Sequence, residues 1–142
     1  MKKRTFVLLM AVVMVFTCFG SCFAEGANKY NSMRYSYITG INASIYNTGS
    51  AVSFKGIGKS TSSDTVTEVR VTLRKRLQGG TNWSSAGTYY GNASGTNSCT
   101  VIDSAAAQSG YEYSIYVQCT IRAADGTILE VGGTSSNTVY IP

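Results

Sequence analysis

From Tyr113 to Ile121 every second residue is apolar: Tyr113, Ile115, Val117, Cys119 and Ile121. Ser114, Gln118, Thr120 and Arg122 occupy the alternate positions, with Tyr116 as an amphipathic exception. A period of two predicts a half-buried strand with its odd residues on a core. Next comes Ala123-Ala124-Asp125-Gly126-Thr127, in which Asp-Gly supplies the positive φ angles of a tight hairpin turn, and an apolar stretch resumes over residues 128–131. Earlier, Val69, Val71, Leu73 and Leu77 alternate with Arg70, Thr72, Arg74 and Arg76, a second amphipathic strand that stops at Gln78-Gly79-Gly80. That turn predicts another hairpin, with Trp83 near the start of the return strand. Weaker alternation places further strands at residues 35–46, 51–58, 88–90, 98–103 and 138–141, with a polar loop over 59–64. Helical spacing fails nearly everywhere after residue 24, so about seven or eight strands with turns between them predict an antiparallel β-sandwich.

The longest apolar run is of another kind. Lys2, Lys3 and Arg4 precede residues 6–19, which carry no charge, and Cys22 and Ala24 then stand three and one positions before Glu25. This is the layout of a cleavable signal peptide, with cleavage expected after Ala24. As a helix the run would span only about 21 Å, short of a bilayer core of about 30 Å. Phe19-Gly20-Ser21-Cys22 offers the alternative of a lipid anchor on Cys22, although Phe stands where such motifs usually have Leu. Residues 25–33 read as a flexible N-terminal arm, and 34–142 as a single domain.

Removing the leader changes the charge. The whole chain has twelve Lys and Arg against seven Asp and Glu; three of the twelve lie in the leader, so the net charge falls from +5 to about +2. Such a balance gives no support for nucleic-acid binding. Two of the four cysteines, Cys18 and Cys22, also fall in the leader, leaving Cys99 and Cys119 as an even pair for an oxidising compartment. Both share the phase of core residues, so a disulfide between neighbouring strands or across the sheets is expected, with buried free thiols as the alternative. The closed loop of about 20 residues would stabilise the fold by roughly 3 kcal/mol.

Gly110-Tyr111-Glu112-Tyr113-Ser114-Ile115 resembles the start of the penultimate strand of fibronectin type III and immunoglobulin-like domains, where a Gly-x-x-Tyr stretch forms a tyrosine corner. The resemblance covers the last third of the chain and implies that the Tyr113 hydroxyl pins that corner. Cys119 lies six residues after the tyrosine, later than the immunoglobulin pattern places its cysteine. Taken with the leader, the Arg-Tyr-x-Tyr-Ile segment at 34–38, Leu77-Gln78 followed by Trp83, and the final hairpin, the chain resembles uncharacterised, domain-of-unknown-function families of small exported proteins of Gram-positive bacteria. Those families have no assigned activity, so the resemblance implies an organism type and a fold and no mechanism.

The chain contains no histidine. Ser-His and Cys-His nucleophile pairs, His bases and His metal ligands are excluded together. A glycosidase would need two of Asp64, Glu68, Asp103, Glu112, Asp125 and Glu130 facing each other about 5 to 10 Å apart across a cleft. Asp125 already has a turn role, and the rest are scattered over strands and loops. No calcium loop, phosphate loop or clustered thiolate set is present, so no metal or cofactor is expected.

Two surfaces suggest binding. Arg70, Arg74 and Arg76, with Lys75 beside them, form a basic stripe suited to an anionic polymer such as teichoic acid or an acidic glycan, or serving only to keep a strand soluble. Trp83, Tyr89 and Tyr90, framed by Gly, Ser, Thr and Asn, suit a platform for sugar rings, although a tryptophan in a sandwich most often fills the core. Tyr89 and Tyr90 must point to opposite faces, so at most one shares such a platform. Asn-x-Ser sequons at Asn42, Asn82 and Asn92 carry no weight in so Ser- and Thr-rich a chain. The expectation is a secreted, non-enzymatic β-sandwich that binds glycan, wall polymer or another surface protein, without a transmembrane span. The alternatives are a self-associating matrix protein and a carboxylate enzyme.

Overall fold

In the computed structural model, which describes residues 35–142, the alternation at 113–121 is the inner face of a central strand. The expected leader and arm lie outside the described residues. Eight strands follow in order: β1 (Ile38–Asn47), β2 (Ala51–Ser60), β3 (Val66–Leu77), β4 (Ser84–Ala93), β5 (Ser98–Ala106), β6 (Tyr111–Arg122), β7 (Ile128–Ser135) and β8 (Val139–Tyr140). All pairings are antiparallel. One sheet has the order β1-β2-β5; the other runs β4-β3-β6-β7, with β8 also paired to β6. The two sheets share a core, so the fold is an antiparallel β-sandwich of the immunoglobulin/fibronectin type III-like kind. No helix long and apolar enough to cross a membrane occurs among the described residues.

The core is made where the two best alternating strands pair. Val69 faces Cys119, Val71 faces Val117 and Leu73 faces Ile115 across β3 and β6, and all six are buried. The opposite sheet contributes Ile45, Val52, Phe54 and Val101. Full burial of each large aliphatic or aromatic side chain contributes about 1.5–3 kcal/mol. Phe54 also meets Tyr89 of β4, ring centroids 4.8 Å apart and tilted by 58°, which joins the sheets near the β4 edge. Gly58 of β2 is required by this packing: a Cβ there would lie 2.6 Å from Cys119 Sγ and 2.9 Å from Val69 Cγ2.

Several local expectations change. β4 runs from Ser84 to Ala93, well beyond the 88–90 expected, because its pairing with β3 holds residues that are too small and polar to alternate. Leu77 ends β3 at 61% exposure, outside the core its phase implied. In the 123–127 turn only Gly126 has positive φ, at 89°; Asp125 does not. Gly126 N–H bonds Ala123 O and Ala123 N–H bonds Thr127 O, the pattern of a wider turn with a glycine bulge in place of a two-residue hairpin. Asp125 instead accepts from Thr127 N–H at 2.9 Å, and Thr127's backbone and side chain hold its carboxyl below the usual range.

Tyr113 occupies the corner that its motif implies. Its buried ring brings the hydroxyl to 2.8 Å from the Gln108 N–H, which donates to it from five residues upstream. At the other end of the sandwich, the Glu130 carboxylate accepts from three consecutive backbone N–H groups: Ser36 at 2.9 Å, Tyr37 at 2.8 Å and Ile38 at 2.7 Å. Thus β7 holds the start of β1 although the two belong to different sheets. Burial pushes the Glu130 carboxyl upward, but the backbone N–H groups outweigh it and hold the carboxyl below its ordinary value.

A folded-state pKa below the unfolded value means that this contribution is complete above the unfolded carboxylate pKa of about 4.3 and is lost as pH falls through the folded value. Urea midpoints are expected to show Glu130→Gln weaker than the parent protein near neutral pH, with the two converging under acid. Gly58→Ala is expected to destabilise the fold by about 1–3 kcal/mol in the same measurement, through overpacking against Cys119 and Val69.

Candidate functional site

The parity that buries Val69, Val71 and Leu73 sends Glu68, Arg70, Thr72, Arg74 and Arg76 to the outer face of the five-stranded sheet. Register then sets their neighbours. Arg70 lies between Tyr90 of β4 and Gln118 of β6, and Gln118 is opposite Gly133 of β7. One step along, Glu68 lies between Asn92 and Thr120, and Thr120 is opposite Val131. Glu68, Arg70, Tyr90, Asn92, Gln118, Thr120 and Val131, with Arg122 and Ile128, line an open groove of about 690 Å³ on the sheet. Tyr90 is its most prominent wall, 74% exposed, and Ile128 and Val131 form the other. Gly133 lies beside this groove and is covered by the Tyr116 ring, which occupies the place a Cβ would take.

The floor is held by hydrogen bonds. Arg70 donates to Gln118 Oε1. Arg122 pairs with Glu68 at 2.9 Å and donates to Gly126 O at 3.1 Å. Amide, hydroxyl and guanidinium groups beside an exposed phenol ring give a surface that can exchange hydrogen bonds with hydroxyl-rich ligands while a ring face packs on the tyrosine.

The expected site residues are distributed as follows. Tyr90 and Arg70 fall in the groove. Tyr89 points inward and belongs to the core contact with Phe54. Trp83 is not a core residue: it is half-buried on the outer face, with the Arg76 guanidinium 4.5 Å and that of Arg74 5.6 Å from its ring centroid. Arg74 is also 5.7 Å from the Tyr116 ring, so Tyr116, Arg74, Trp83 and Arg76 form a ladder of alternating rings and cations. Phe54 and Tyr89 pack on each other in the core, and the two arginines flank the indole outside it. Lys75 leaves the stripe, lying over the Tyr111 ring at 5.0 Å.

The basic stripe is therefore laced into its own sheet. Arg76 pairs with Glu112 at 2.6 Å, and Arg74 donates to Ser135 Oγ at 3.1 Å and Ser114 Oγ at 3.5 Å. Glu68, Glu112, Asp125 and Glu130 all have the partners already described, and Asp103 accepts from the Ser104 N–H at 2.7 Å. Among the described residues no three His, Cys, Asp or Glu side chains converge as a metal site.

The bond expected between Cys99 and Cys119 is absent; both are buried free thiols. Their core-facing phase is as read, Cys99 on β5 of one sheet and Cys119 on β6 of the other. Cys99 packs with Phe54 and Val101, and Cys119 with Ile38 and Ile121. Burial pushes both thiols up, Cys119 to about 11 with further upward contributions from the nearby Cys99 and Glu130.

Sequence reasoning passed over Gln118, Thr120, Asn92, Arg122, Ile128 and Val131. The even positions of β6 were visible as an outward polar face, but only the register shows that they meet Tyr90 and Arg70.

Comparison with known protein families gives no match, and comparison with curated proteins gives none either. Among solved structures the chain is similar to β-glucosidase 3B from Thermotoga neapolitana in complex with glucose. That similarity has 12% identity and a TM-score of 0.37, and it covers 75% of this chain and 16% of the glucosidase.

Because thiolates and not thiols react with disulfide reagents, the folded protein at mildly alkaline pH is expected to react slowly with an aromatic disulfide. Unfolding a protein of residues 25–142 without reductant is expected to release two titratable thiols, those of Cys99 and Cys119; finding none would show that the two are bonded.

Proposed function

We propose that this is an exported, non-enzymatic binding module whose ligand is a carbohydrate chain of the cell surface or wall, held in the groove on the outer face of the β4-β3-β6-β7 sheet. The observation that carries this reading is Tyr90, a large ring left 74% exposed at the rim of a groove otherwise lined mainly by polar side chains. An exposed ring over hydrogen-bonding groups matches the two surfaces of a sugar, an apolar ring face and a hydroxyl edge. The carboxylates support a binding role over catalysis, since Glu68, Glu112 and Glu130 are committed to Arg122, Arg76 and the backbone at 36–38. Export rests on the leader at 1–24 and the short polar residues that dominate the remaining chain.

A glycan array and a cell-wall pull-down with the purified protein test the reading. Tyr90→Ala is expected to weaken binding about tenfold by removing the ring contact. Because the side chain is exposed, the same change is expected to alter stability by less than about 0.5 kcal/mol. An array and a pull-down that both come back empty, or binding indifferent to Tyr90, would overturn it.

A further inference from the structure

The arginines of the outer face are not equally neutralised. At one end Arg122 is paired with Glu68 at 2.9 Å, and at the other Arg76 is paired with Glu112 at 2.6 Å. Between them, Arg70 donates to the neutral Gln118, and Arg74 to the neutral hydroxyls of Ser114 and Ser135. These central arginines make neither of the two ion pairs seen among the described residues. Each stands beside an aromatic ring, Arg70 beside its cross-strand neighbour Tyr90 and Arg74 beside Trp83. The same combination thus occurs twice on one strand, four residues apart, or about 13 Å at the rise of an extended chain.

A guanidinium offers a fork of donors that fits carboxylate and phosphate oxygens, and a cation without a counter-charge gains most from an anionic ligand. Two such cations in a row favour a ligand whose charges repeat along its length. We infer that the ligand is a linear chain of sugar or polyol units bearing carboxylate or phosphate groups, lying lengthwise along β3. One anionic group meets Arg70 with a unit against Tyr90, and a second meets Arg74 with a unit near Trp83. This inference rests on the carbohydrate reading and adds to it the ligand's charge, its extension and its direction.

Calorimetry on the purified protein tests it with galacturonate oligomers from dimer to octamer, methyl-esterified oligomers of the same lengths, and glycerol-phosphate oligomers. Affinity for at least one acidic series is expected to rise with length until the chain spans both arginines and then to level off. Uncharged esters are expected to bind at least about tenfold more weakly, and Arg70→Gln to cost about tenfold for long acidic chains, with a shallower salt dependence. Arg70 is exposed, so its replacement leaves the core intact; Arg74→Gln is read only after circular dichroism shows the parent's spectrum. Preference between the galacturonate and the phosphate series identifies which anionic group is used. Esters binding as tightly as acids, dimers as tightly as octamers, or neutral glycans alone would overturn the acidic, extended ligand and leave the carbohydrate reading standing. No binding to any acidic, esterified or neutral glycan would overturn both.

Discussion

Val71 and Val117 meet across β3 and β6, and neither retains any exposed surface. The parity of that one pair assigns every other position on the two longest strands. A slip of one residue would turn Arg70, Thr72 and Arg74 into the interior and place Val69, Val71 and Leu73 in water. Each arginine brought inside without a carboxylate would add the cost of an unpaired buried charge, so the alternative register is strongly excluded. The interior and the outer face proposed for binding are for this reason two sides of one constraint. The residues that make the sandwich stable determine which side chains stand outside it, and in what order.

The ends of the sandwich are closed by polar contacts of a different kind. Tyr113 and Gln108 hold the approach to β6, while Glu130 gathers the N–H groups that open β1. Ser136 serves the break between β7 and β8: its backbone N–H bonds Ile115 O at 2.9 Å and its hydroxyl accepts from the Ile115 N–H at 3.0 Å. These contacts satisfy backbone groups that the ladders leave free where strands part. The groove lies between the closed ends, on a sheet whose curvature and register are held by the core beneath it.

Much of the architecture was legible from alternation alone. β6 carries an unbroken apolar phase from Tyr113 to Ile121 and β3 one from Val69 to Leu73, and the Gly-x-x-Tyr stretch marked the corner at Tyr113. The extent of β4 was not legible, because an edge strand of Ser, Gly, Thr and Asn is held by its neighbour's backbone and needs no pattern of its own. The position of Trp83 was not legible either. A lone tryptophan fits the interior of a sandwich in general, and only the packing of Phe54 on Tyr89 and the arrival of Arg74 and Arg76 beside the indole move it outside. The state of the sulfurs has a similar origin: a shared inward phase says that two cysteines are buried, but not that they are bonded. Of the groove, Tyr90 and Arg70 were named from composition and spacing, while Gln118 and Thr120 joined them through a register that sequence does not encode locally.

Nitrogen–proton correlation NMR of the labelled protein during titration with cell-wall glycan fragments tests the central claim most directly, because it locates the ligand without assuming its chemistry. Shifts are expected to concentrate on the outer strip of the β4-β3-β6-β7 sheet, at Tyr90, Arg70, Gln118 and Thr120. Shifts confined to the opposite sheet around Tyr46 and Ile102, or a spectrum unmoved by every fragment, would contradict the placement of function on this face.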